Sequence, residues 1–167
     1  MNRKDCKRRG IATVELALIL PLLFLLVFGV IDFGRLLLVD NEITNVSREA
    51  ANLAWRGEPF PSTIQAMFDV SGTSQLENDG FIIMSRIERD QNNNPVIVEQ
   101  RSDGLQPRTS RVGAQGGGAV LPVPQLPRAG QQLIVAEVFL NYTPVTPLGA
   151  LFGSSLPTHL YDAAYFY

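Results

Sequence analysis

The chain has 167 residues, 46% of them apolar, and a net charge of −2, enough for one small globular domain beside a membrane helix. A single cysteine, Cys6, and a single histidine, His159, exclude an internal disulfide and zinc sites of the Cys/His type, and with no lysine beyond Lys7 a phosphate loop ending Gly-Lys-Ser/Thr cannot exist. Residues 1–10 carry five basic groups against Asp5, while the remainder carries nine basic against fifteen acidic groups, a balance that argues against a nucleic-acid partner.

The first element after the basic tip is a membrane span. Ile11–Ile31 is 21 residues with Glu15 as the only charge, and about 20 apolar residues in helix cross a bilayer core. Val30–Ile31–Asp32–Phe33 does not read as a signal-peptide cleavage site. The basic residues ahead of the span hold the N-terminus in the cytoplasm and leave the rest of the chain outside the inner membrane. Pro21 lies within the span, where neighbouring helices and backbone adjustment re-satisfy the freed groups. A carboxylate such as Glu15 within a membrane calls for a partner or for the cytoplasmic headgroups.

The helical pattern outlasts the apolar run. Ile43, Val46, Ala50, Leu53 and Ala54 recur at three- and four-residue steps, with Asn45, Arg48, Glu49 and Asn52 on the other face. Asp32 and Arg35 are three apart and suited to a helix ion pair, worth little at an exposed interface. Arg56–Gly57–Glu58–Pro59 supplies the stop. A helix from about 12 to 56 would be roughly 65 Å long.

Ser62–Phe68 reads as a short helix capped by Ser62. Phe81–Glu88 and Pro95–Gln100 read as paired strands, with turn chemistry in Asp90–Asn94 between them. Residues 102–130 hold six glycines and four prolines and read as a long irregular loop. Gln131–Tyr142 alternates through Leu133, Val135, Glu137, Phe139 and Asn141 as a long strand, and His159–Tyr167 closes the sheet. The expected fold is α+β: a basic leader at 1–10, a transmembrane and amphipathic helix at 11–57, and a mainly β head at 58–167 with one helix face covering a small antiparallel sheet.

Catalytic and ligand motifs are weak throughout. A serine triad would have to use His159 with Asp162, yet no Gly-x-Ser-x-Gly elbow occurs, so His159 reads as a strand or surface histidine. Gly113–Gly118 lacks dinucleotide spacing. Asp90–Asn94 begins like a calcium loop, but Pro95 stands where glycine is needed and Arg101 where the bidentate glutamate belongs. No cofactor, metal or catalytic residue is expected.

Arg9–Gly10–Ile11–Ala12–Thr13–Val14–Glu15 before a long apolar helix resembles a type IV prepilin-like leader. Leu20–Pro21–Leu22–Leu23, Phe28–Gly29–Val30–Ile31–Asp32–Phe33–Gly34–Arg35 and Thr44–Asn45–Val46–Ser47–Arg48–Glu49–Ala50–Ala51 resemble the TadE-like pseudopilins of the tight-adherence (Flp) pilus. Tyr142–Thr143–Pro144–Val145–Thr146–Pro147–Leu148 is similar to a tyrosine/proline stretch of that family. The resemblance implies a pilin-like fold, cleavage between Gly10 and Ile11 by a prepilin peptidase, and pairing of Glu15 with the freed amino group of a neighbouring subunit. It further implies a non-enzymatic minor pseudopilin or pilus-assembly component of the bacterial inner membrane, whose partners are other pilins and the assembly machinery. The alternative is an unprocessed single-pass anchor carrying a periplasmic binding module.

Overall fold

The computed structural model describes residues 3–71, 74–122, 127–128, 130–147, 149 and 157–167, and the side chains of 3–12 and 74 lie outside that description. Also outside it fall Met1 and Asn2 of the expected leader, Pro124 of the Gly/Pro-rich loop and Leu148 of the tyrosine/proline stretch. The fold is α+β, a long N-terminal helix followed by a four-stranded antiparallel sheet. Two compact units can be distinguished, residues 1–37 with 143–156 and residues 38–142 with 157–167.

Helix α1 spans Arg3–Trp55 and continues through Pro21. It begins ahead of the expected start near residue 12. Its end follows from backbone chemistry. Gly57 adopts φ 101°, which costs glycine little. The Glu58 N–H then reaches the Leu53 carbonyl at 3.2 Å and the Gly57 N–H the Ala54 carbonyl at 3.1 Å. These two bonds satisfy carbonyls that the helix end would otherwise orphan.

In the larger unit, α2 (Phe60–Val70) and α3 (Ser74–Asp79) precede the strands. Helix α2 buries Phe60, Thr63, Ile64 and Met67, one face at helical spacing. It starts two residues before the expected cap, because Pro59 and Pro61 suit a first turn that has no amide partners to lose. The Ser62 hydroxyl instead donates to the Pro59 carbonyl at 2.9 Å. Helix α3 was not expected from the sequence; its six residues are too few to show a period.

The strands are β1 (Gly80–Arg89), β2 (Pro95–Gly104), β3 (Leu133–Asn141) and β4 (His159–Phe166), in the order β2-β1-β3-β4. The β1–β2 hairpin closes through Asp90, whose carboxylate accepts the Asn92 and Asn94 N–H groups at 2.9 and 2.7 Å. Asn93 takes the left-handed conformation at φ 68°, which asparagine tolerates better than most residues.

Register decides which side chains share a face. Ile82, Met84, Ala136, Val138, Leu140, Leu160 and Ala164 alternate onto one side together with Asp162. The Ser47 hydroxyl donates to Asp162, so the 38–55 part of α1 lies against this side. That part buries Val39, Ile43, Val46, Ala50, Ala51 and Ala54. Its alanines let the helix backbone come close.

The opposite side carries Ile87, Ile97, Leu133 and Val135, and Val112 closes over them with Ala119 and Leu121. The segment after β2 is therefore irregular in dihedrals but is a structural layer of the core. Its backbone also pairs with the start of β2: Ile97 N–H donates to Gly117 O at 3.0 Å, Gly116 N–H to Ile97 O at 2.8 Å, and Ala119 N–H to Pro95 O at 2.8 Å. An edge strand that would expose unpaired backbone groups is thereby covered.

Candidate membrane helix and its carboxylates

From Val14 to Leu38, α1 presents Leu, Ile, Val and Phe side chains outward along nearly its whole length. Its Thr13–Trp55 portion reaches a mean hydropathy of 2.8 in its most apolar window, none of it buried within the protein. Such a helix in water would leave an apolar surface that soluble monomers do not show; in lipid the same surface is matched. Phe24 and Phe28, one turn apart, stack with ring centroids 5.9 Å apart. Gly10 and Ile11 lie within the α1 backbone, with no interruption of the helix at that point. Glu15 is exposed among the apolar side chains.

Asp32 behaves differently. It is 2% exposed. Its Oδ1 accepts the N–H groups of Val145 and Thr146 at 3.2 and 3.1 Å, and its Oδ2 accepts the Thr146 hydroxyl. Three donors on one carboxylate compensate much of its desolvation. Arg35 is exposed. The two segments that separately carried the family resemblance, around Asp32 and around Thr146, are thus in contact.

Residues 10–52 match the family described as TadE-like protein. Neither a curated protein nor a solved structure gives a match to the chain. The TadE-like segment begins at Gly10 and covers the apolar run, Asp32, Arg35 and most of the helical face that includes Ser47. It stops short of α2 and the sheet. The match and the apolar helix near the N-terminus, the one such helix among the described residues, point to a single-pass membrane protein related to the Tad pilus.

Beyond the TadE-like segment, a second buried carboxylate organises the sheet. Glu137 on β3 is fully buried. It accepts the Arg111 N–H at 2.8 Å, the Tyr161 hydroxyl at 3.1 Å and the Ser110 hydroxyl. The Arg111 guanidinium stacks 3.8 Å from the Tyr161 ring centroid, and Phe139 packs against the same ring at 4.9 Å. Burial first, then the Glu137 charge, pushes the Tyr161 hydroxyl well above its ordinary range. Tyr165 is raised in the same direction, again chiefly by burial and then by Glu137. Sequence reasoning placed Glu137 in the strand without giving it a role. The available signal was a charge at an inward position of an alternating pattern.

His159 opens β4 at the surface, its Nδ1 2.8 Å from Asn141 Oδ1. Arg108 donates to the same oxygen at 2.5 Å. Within the larger unit an open groove of about 730 Å³ runs between α1 and α2, lined by Leu38, Val46, Met67, Val70 and Phe166.

Proposed function

We propose that the protein is a minor pseudopilin or assembly component of a tight-adherence (Flp) pilus and has no enzymatic activity. It is inserted in the bacterial inner membrane with its N-terminus cytoplasmic and its sheet on the periplasmic side. A prepilin peptidase trims it between Gly10 and Ile11, and its apolar helix then packs laterally with those of other pilins. The observation that carries this reading is the TadE-like match beginning at Gly10 and covering the outward-facing apolar helix.

The charge distribution supports the orientation. Five basic residues precede the span, and cytoplasmic flanks are enriched in Lys and Arg. The role of Glu15 follows from electrostatics. A new amino group at Ile11 and a carboxylate at Glu15 of a neighbour attract far more strongly in lipid than in water. Each also relieves the other's desolvation.

Intact mass spectrometry of the chain extracted from membranes of its native host tests the proposal. The expected mass is that of a chain beginning at Ile11, and substituting Gly10 by a bulky residue should restore the full-length mass. A chain that keeps Met1 and Gly10 in cells with an active prepilin peptidase would instead support an unprocessed single-pass anchor.

A further inference from the structure

We infer that the turn formed by the described residues Thr143–Pro147 and Gly149 is a second lipid contact, resting in the outer membrane interface beside the span and held there by Asp32. The inference rests on the single-pass membrane reading of α1.

Asp32 is the first charge after the uncharged run Leu16–Ile31. Exposed apolar side chains flank it on both sides: Ile31 is 46% and Phe33 56% exposed. Lipid that contacts these neighbours surrounds the level of Asp32, where an unpartnered carboxylate would be costly. The turn supplies the partners, so its backbone lies at that same level.

The turn is built to tolerate a region poor in water, where every exposed amide needs an acceptor. Pro144 and Pro147 have no N–H to satisfy. Val145 and Thr146 give theirs to Asp32, and Thr146 adds its hydroxyl. Gly149 donates to the Thr146 carbonyl at 3.0 Å. Every amide donor of the described residues Pro144–Pro147 and Gly149 is therefore absent or bonded. The turn is also tight: a Cβ at Gly149 would stand 2.5 Å from the Pro144 Cβ. Carboxylate and turn satisfy one another, and neither requires water.

Its outward surface is uncharged, with Val145 and Pro147 exposed beside Thr143. Val145 is 53% exposed. No charged residue occurs from Tyr142 to Thr158, which is unusual for a connection facing solvent and suits the headgroup–acyl boundary.

Single-tryptophan reporters test this in the full chain. Trp55→Phe removes the one native tryptophan, and Val145→Trp or Phe24→Trp is added in that background. The proteins are reconstituted into phosphatidylethanolamine/phosphatidylglycerol vesicles, with and without lipid brominated near the headgroup end of the acyl chain. The Phe24 reporter shows whether the span is inserted. The expected result is quenching and a blue shift at both positions, with most of the quenching at position 145 lost when Asp32→Ala is added and that at position 24 retained. Quenching at 24 but not at 145 overturns the inference and leaves the membrane reading intact, including the case in which another protein covers the turn. Quenching at neither position overturns both. Quenching at 145 that persists in Asp32→Ala overturns the assignment of Asp32 as the group that holds the turn.

Discussion

Asp32 and Thr146, 114 positions apart in the chain, share two hydrogen bonds, one from the backbone amide and one from the hydroxyl. With the Val145 amide as third donor, a single carboxylate on the long helix holds the backbone at Val145–Thr146. Spacing alone suggested Arg35 as a partner for Asp32; the burial of Asp32 and its bonds to Val145 and Thr146 could not be read from that spacing.

Asp32→Ala leaves two part-buried backbone amides without their acceptor, each at a cost of about 1 kcal/mol. Hydrogen exchange at Val145 and Thr146 in the detergent-solubilised chain should accelerate strongly. Thr146→Val removes only the hydroxyl bond and should cost about 1 kcal/mol. Equal exchange in the two variants would contradict the dominance of the backbone bonds.

Glu137→Ala should be among the most damaging changes in the sheet. It strips the acceptor from the Arg111 amide and the Ser110 and Tyr161 hydroxyls at once. The expected loss is at least about 2 kcal/mol, since buried polar groups are left unmatched. Guanidinium denaturation of the full chain in detergent, followed by circular dichroism, reads it. A change smaller than that of an exposed control such as Glu58→Ala would refute the role.

Tyr161 makes stability sensitive to alkali. Its ordinary value is 10.0 and the folded value lies above that. The native state therefore holds a proton that the unfolded chain releases. The contribution is complete below pH 10.0 and declines as pH rises beyond it. Tyr165 acts in the same direction. Denaturation midpoints should fall above that pH, and Tyr161→Phe should make the fall shallower.

Two glycines separate space from conformation. Gly104 ends β2 at φ 134°, and a Cβ there would stand 2.4 Å from the Gly80 carbonyl oxygen. Gly104→Ala should cost about 2–4 kcal/mol through strain and displaced backbone. Gly116 has φ 80° with open space around it, so Gly116→Ala should cost only about 1–2 kcal/mol. Thermal melts of the two variants supply the comparison.

Glu15→Ala removes an acid from the membrane helix and should leave insertion intact or improved. Under the pseudopilin proposal it should nonetheless abolish co-purification with pilin partners from native membranes. Unchanged co-purification would remove Glu15 from the assembly mechanism.

Several elements were readable one stretch at a time, because their causes are local. An apolar run longer than a bilayer is thick, a Gly–Glu–Pro stop after Arg56, turn residues at Asp90–Asn94 and a period of two along β3 each act within a few residues. What the tertiary structure alone decided were the long-range pairings. The Gly/Pro-rich stretch after β2 reads from composition as a loose loop, yet Val112, Ala119 and Leu121 make it one wall of the core. Ser47 meets Asp162, Glu137 gathers Ser110, Arg111 and Tyr161, and Asp32 captures Thr146. Composition and periodicity carry no information on which distant donor will reach a buried carboxylate; that follows from register and chain path, which exist only once the sheet has formed.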